Sequence, residues 1–278
     1  MSNSGLNRID QSFAKQRDEQ RRGFVAYICA GDPHLDATRD LAVGLYEAGV
    51  DVLELGIPFS DPLADGIVNQ MAAQRALEAG ATVRGVLKTA KAIREACPIP
   101  LVFFTYLNPI YQFGYGRFLD EAADAGVDGL LVLDLPPDEI ASSGELADTG
   151  QLYPIRLVAP TTPEDRLDAI AGSGRGFIYY VSRAGVTGEQ SSLNAGIQPA
   201  VAAIRKHTDL PVAVGFGIST PQQAAEVAGM ADSVVVGSAI VRRVAEHGQS
   251  AQLVERVVEF VQPLVKATHA VTGAQPNQ

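Results

Sequence analysis

Eight short apolar runs, rich in β-branched and aromatic residues, punctuate the chain. They are GFVAYICAG (23–31), VDVLELG (50–56), IPLVFFTY (99–106), VDGLLVLDLP (127–136), LYPIRLVAP (152–160), RGFIYYVSR (175–183), LPVAVGFG (210–217) and DSVVVGSA (232–239). Between them apolar residues fall at helical spacing, as in Val83, Val86, Leu87, Ala90 and Ile93. TTPEDRLDAIAG offers Thr162 as N-cap, Pro163 at the first helical position and Gly172 beyond the end; STPQQAAEVAG repeats this with Thr220, Pro221 and Gly229. Near-continuous apolar strands alternating with helices require a parallel sheet covered on its outer face. Eight such units are the count that closes a barrel. A doubly wound open sheet would usually show GxGxxG after its first strand, where this chain has AGDPHLD. The expected fold is α/β, a single (β/α)8 TIM barrel. Residues 6–21 form an extra N-terminal helix that closes its bottom. The catalytic domain would span 1–270 and the aperiodic end, 271–278, would be a flexible tail.

At 278 residues the length suits one such barrel. The formal net charge of −10 argues against nucleic acid as a partner, because a polyanion needs a basic stripe. It leaves room for a small anionic ligand held by a few local donors. Cys29 and Cys97 have no metal-ligand spacing and read as buried small hydrophobes in a reducing compartment. The N-terminal stretch has no signal-peptide core, and no apolar run reaches membrane-spanning length, so a soluble, cytoplasmic protein is expected.

In a barrel of this kind the site lies at the C-terminal ends of the strands. The polar residues there are Asp32, Glu54, Asp61, Asp65, Thr105, Asn108, Asp134, Arg183 and Ser238. Side-chain alternation groups Leu53 with Leu55 and turns Glu54 to the opposite face, into the barrel, where desolvation favours the neutral carboxyl. The competing reading is a structural carboxylate held by a buried arginine or backbone donors. Asp65 lies in a Pro- and Gly-punctuated loop and could be an N-cap for the following helix. Paired with Glu54 above one strand, it instead suits a proton shuttle beside a charge-stabilising base. Glycines in SRAGVTGEQ, GFGIS and GSAI, after the last three strands, let backbone N–H groups approach a phosphate, and Ser238 adds a hydroxyl. The five lysines lie in helical patterns or termini, so none serves as a strand-end Schiff base. The four histidines form no ligand cluster, and no metal site is expected.

LELGIPFSDPLADG together with QRAL, YLNPI, YYVSRAGVTG and VGFGIS…VVGSAIV resembles the tryptophan synthase alpha chain family, in order, from about residue 8 to 265. The resemblance implies cofactor-free cleavage of indole-3-glycerol phosphate to indole and glyceraldehyde 3-phosphate, with a beta subunit as partner in an α2β2 tetramer. It implies that Glu54 is the acid–base group and that Asp65 accepts from the indole N–H. Gly188, Gly217, Gly237 and Ser238 match a phosphate cradle. Tyr27, Phe104, Leu131, Tyr179 and Phe216 match an indole pocket, and Arg183 and Thr187 a lid. Pro58, Asp61, Asn108 and Pro136 match partner contacts, in loops whose Ile57, Phe59, Ile110 and Phe113 suggest an apolar rim. Two positions depart from the family's ADGPxIQ: Ile67 replaces a proline, and Asn69 puts an amide where an apolar residue usually faces the indole. Other readings are a different phosphate-binding barrel enzyme and a non-catalytic relative that only binds a partner.

Overall fold

The computed structural model describes residues 6–182, 193–215 and 217–272. Its strands are β1 (Gly23–Cys29), β2 (Val52–Gly56), β3 (Leu101–Thr105), β4 (Gly129–Val132), β5 (Tyr153–Pro154), β6 (Arg156–Val158), β7 (Ile178–Val181), β8 (Val212–Gly215) and β9 (Ser233–Val236). They form one sheet in the order β5-β4-β3-β2-β1-β9-β8-β7-β6, with parallel pairing throughout. The two ends of that order are β5 and β6, which are separated in sequence by Ile155 alone. The fifth apolar run therefore bonds β4 with its first half and β7 with its second, and the sheet closes on itself as a TIM barrel. The ninth strand is this division, not an additional stave.

The pleat sorts the side chains as expected. Leu53, Leu55, Phe103, Ile178, Val214 and Val234 face outward and belong to the core shared with the helical layer. Val25, Val52, Val102, Leu131, Ile155, Phe177, Tyr179, Ala213 and Val235 face inward and pack together inside the barrel. The N-terminal helix Arg8–Asp18 is capped by Asn7, whose side chain accepts from the Ile9 N–H. It inserts Ile9 and Phe13, exposed by 0% and 3%, into that interior cluster, with Phe13 and Phe177 rings 5.6 Å apart. The barrel bottom is thus plugged with hydrocarbon. The Thr220–Pro221 signal gives a full capping box with Gln223. The Thr162 signal differs: Thr162 Oγ1 accepts from Ala159 N, and the helix begins as a 3-10 turn, Glu164–Arg166, ahead of Leu167–Gly172.

A repeated device ties this bottom end. Asp51, Asp128 and Asp232 each stand just before a strand and accept the N–H of a neighbouring strand, from Phe24, Leu101 and Val212 respectively. Each also holds arginine: Asp51 holds Arg21, Asp128 holds Arg8 and Arg94, and Asp232 holds Arg22 and Arg205. Asp51 additionally meets His269 from the C-terminal helix Leu253–His269, and Thr272 bridges back to Arg21. Among the described residues no helix is long and apolar enough to cross a membrane.

Asp128 is the most enclosed of these anchors, with a side chain 4% exposed. Asp128→Ala would leave Arg94 half-buried without its carboxylate and the Leu101 N–H without an acceptor. Chemical denaturation should report a loss of about 3–5 kcal/mol, the usual cost of breaking a buried pair from one side.

Candidate active site

The strands' C-terminal ends open into a cavity of about 340 Å3. Its ring-sized part is lined by Tyr27, Phe104 and Tyr179, with Val68 and Asn69 from the helix Ile67–Glu78. Tyr27 and Phe104 meet edge to face at 5.1 Å, an arrangement suited to a flat aromatic guest. Two glycines make room for the tyrosines. A Cβ at Gly56 would overlap the Tyr27 hydroxyl, and one at Gly215 would crowd the Tyr179 hydroxyl. Burial, then nearby acidic groups that include Glu54 and Asp65, keeps both phenols protonated far above their ordinary range.

Glu54 sits on β2 two residues deeper than Gly56, beside Tyr27 of β1 and Val102 of β3 in the sheet register. It is 0% exposed, and neither carboxyl oxygen has a hydrogen-bond partner among the described residues. The alternative of a structural carboxylate held by arginine or backbone donors is not what the geometry contains. Burial alone pushes its pKa up to about 8. Glu54 is therefore a neutral acid at pH 7, below an aromatic cavity.

Asp65 differs in every respect. It is half-buried at the rim, and the Tyr106 hydroxyl donates to its Oδ2 at 2.9 Å. Asn69 Nδ2 donates to Oδ1 at 3.4 Å. Burial raises its pKa, while these two hydrogen bonds oppose the rise. The following helix takes Gly66 as its N-cap with no side-chain capping bond, so Asp65 is not serving as that cap. The segment is anchored from below by Arg75, which makes a bidentate pair with buried Asp32 at 2.9 and 2.7 Å. Asp32 is thus structural. So is Asp134, which accepts from the Leu107 N–H at the start of the helix Leu107–Phe113, and so is buried Thr105, which donates to the Tyr106 carbonyl.

Gly217, Gly237 and Ser238 line the same cavity, with Gly237 against the Tyr27 side chain. Ser238 begins the helix Ser238–His247, whose first N–H groups lack intrahelical acceptors and suit an anion. Arg242 of this helix also lines the cavity and has no ion-pair partner among the described residues. The sequence reading missed it because an arginine inside a helical pattern looks like an ordinary solvated face. It also missed Tyr106, which reaches Asp65 across 41 residues. Arg183, Thr187, Gly188 and Phe216 lie outside the described residues. No cluster of metal-ligating side chains occurs among the described residues.

Leu131 is 1% exposed and packs within the interior cluster, beside Phe104 in the sheet register. One expectation needs correction: the apolar rim is differently built. Ile57 and Ile110 are buried in the main core at 4% and 0%, and Phe59 packs on Tyr106. Phe113 packs on Phe118, with the guanidinium groups of Arg84 and Arg117 over its ring. Pro58 is buried as well, whereas Asp61 and Asn108 are exposed and Pro136 is half-exposed. Between residues 57 and 113 the exposed large apolar groups are Leu63, Ile67, Met71, Leu77 and Tyr111.

A family model described as tryptophan synthase alpha chain matches residues 13–269. The tryptophan synthase alpha chain of Opitutus terrae is 47% identical over 264 residues, covering 95% of this chain and 99% of that one. The Geobacter sulfurreducens protein of the same name is 47% identical over 262 residues, covering 94% and 99%. Among solved structures, tryptophan synthase subunit alpha from Legionella pneumophila superposes with a TM-score of 0.87 at 36% identity, covering 96% of this chain and 100% of that one. A chain of the M. tuberculosis tryptophan synthase in its aminoacrylate-bound form gives 0.81 at 32% identity, covering 95% and 100%.

The environment of Glu54 has a stability signature. Its folded pKa lies above the unfolded value, so between about 4.5 and 8 the unfolded chain binds fewer protons, and stability falls as pH rises through that window. Glu54→Gln removes the penalty. The variant should match the parent near pH 4.5 and exceed it above pH 8 by on the order of 4 kcal/mol, read from denaturation midpoints across pH.

Proposed function

The chain belongs to the tryptophan synthase alpha chain family and carries its activity, the cleavage of indole-3-glycerol phosphate to indole and glyceraldehyde 3-phosphate with a beta subunit as partner; on that premise we propose how its residues perform the reaction. The observation that carries the proposal is the contrast between the two carboxyls. Glu54 is neutral, dry and unpartnered, and Asp65 is hydrogen-bonded at the rim.

The indole ring occupies the slot formed by Tyr27, Phe104 and Tyr179, and the phosphate occupies the Gly217, Gly237 and Ser238 end. Neutral Glu54 protonates ring carbon C3, which places positive charge on the ring nitrogen. Ionised Asp65 accepts the N–H there and offsets that charge. The Glu54 carboxylate then takes the hydroxyl proton of the adjoining glycerol carbon. The C–C bond breaks, its electron pair returns to the ring, and the aldehyde leaves. Glu54 ends as it began, so no other acid or base is consumed. Arg242 supplies the countercharge that backbone donors lack.

Docking of the beta subunit falls on the barrel mouth, with Asp61, Asn108 and Pro136 as contacts. The solvent-exposed Leu63, Ile67 and Met71 flank Asp65 in sequence and extend the apolar face. Residues 1–270 act as one catalytic domain, in the cytoplasm.

Glu54→Gln should lower steady-state release of indole from indole-3-glycerol phosphate at least ~10²-fold, the usual scale of general acid–base catalysis. The parent's kcat/KM should decline above pH 8, where Glu54 ionises. Near-normal turnover by the variant would reject the assignment and favour a chain that only binds its partner. Arg242→Gln should raise KM for the phosphorylated substrate on the order of 5-fold with kcat nearly kept, as expected for one solvent-screened charge contact. An unchanged KM would leave the phosphate to the backbone and Ser238 alone.

A further inference from the structure

Asn69 is an anomaly of the cavity wall. It stands in the first turn of the helix Ile67–Glu78, in a lining otherwise built here from Val68, Tyr27, Phe104 and Tyr179. Its Oδ1 is buried and has no partner among the described residues, which destabilises the fold relative to an aliphatic side chain of the same size. Nothing in the packing requires an amide there. Its Nδ2, however, reaches Asp65 Oδ1 at 3.4 Å, while Tyr106 holds Oδ2 from the other side at 2.9 Å. The orientation is fixed by chemistry: turning the amide over would set its oxygen against a carboxylate. Gln70, the next residue, donates to the Asp65 carbonyl at 2.9 Å, so backbone and side chain of one residue are tied by neighbouring amides.

We infer that Asn69 is a positioning residue for Asp65, whose amide nitrogen aligns the carboxylate on the ring nitrogen and favours its ionised form. The inference rests on the role proposed above for Asp65. The trade is stability for alignment. A carboxylate gripped on one oxygen by Tyr106 alone could rotate about its final bond; a second donor on the other oxygen stops it. The other titratable groups around Asp65 do not substitute for this donor. Tyr27 and Cys29 on β1, Tyr179 on β7 and Tyr106 beyond β3 are all kept protonated by burial. Glu54 on β2 stays neutral below about 8. None of them is a cation, so only hydrogen bonds oppose the burial that raises the Asp65 pKa.

The test is the pH dependence of kcat/KM for indole-3-glycerol phosphate in Asn69→Leu. The acid limb, which reports ionisation of Asp65, should move up by about 0.5–1 pH unit, the scale of one long charge-assisted hydrogen bond. The limb above pH 8 should stay in place, and the melting temperature should hold or rise because the unpartnered oxygen is gone. Asn69→Ala, which only removes atoms, gives the same readout if leucine does not fit. Asn69→Asp should move the acid limb further still, because two adjacent carboxylates share a proton. An acid limb that stays with the parent in the leucine and alanine variants would overturn the inference and make Asn69 a wall residue. Asp65→Asn separates the two failures. If that variant keeps near-parental turnover, the role of Asp65 itself is wrong; if it is inactive while the acid limb of Asn69→Leu is unmoved, only the inference about Asn69 falls.

Discussion

Closure of the sheet is the constraint from which the rest follows. Once β5 and β6 join the ends of the strand order, every second residue of the sheet must live inside one tube. That tube has no access to water from below, because Ile9 and Phe13 of the N-terminal helix fill it. On β2 the interior face is hydrocarbon at Val52, and the next inward position is Glu54, beside Val102 of β3. A polar atom on that face is desolvated by geometry. The displaced pKa of Glu54 is a consequence of barrel closure.

The proposed reaction calls for the opposite treatment of a second carboxyl, and Asp65 has it by position. Asp65 comes eleven residues after Glu54, beyond the end of β2, where solvent and two side-chain donors reach it. One group is thus suited to giving a proton near neutral pH and the other to bearing charge. Space for the two tyrosines that wall the cavity comes from omission. Gly56 and Gly215 carry no Cβ, so the tyrosine hydroxyls can lie over strand backbone and the rings can form walls.

How far this was legible in the sequence depends on whether a feature is local. The alternation around Leu53, Glu54 and Leu55 is a two-residue pattern, and it fixed which face Glu54 takes without any tertiary knowledge. The eight staves were legible for the same reason. Burial of loop residues was not. Ile57 and Ile110 looked like an exposed rim because they lie among prolines and turn residues. Ile110 instead lies on the helix Leu107–Phe113, which packs on its neighbouring helices, and both isoleucines join the core shared with the helical layer. Tyr106 and Arg242 act through contacts between elements, for which no spacing rule exists. The amide of Asn69 was visible as an oddity, but its direction toward Asp65 was not.

The two ends of the barrel divide the work of holding and reacting. At the bottom, Asp51, Asp128 and Asp232 are satisfied by arginines and strand N–H groups, so that end is over-determined. At the top, Glu54 and Arg242 lack protein partners among the described residues, and Asp65 has two. Unpartnered groups in a closed barrel are destabilising, and they persist only where other interactions outweigh them. The aspartate anchors lie at the opposite end from the cavity, so they stiffen the strands without occupying the lone pairs and N–H groups that substrate must meet. A loop tied chiefly through the side chains of Tyr106, Asn69 and Gln70, next to a strand paired on both sides, would shift more readily than Glu54 on docking of a partner at Leu63 or Ile67. Coupling between partner and chemistry would then run through the position of Asp65, because the deeper acid is fixed by the sheet itself.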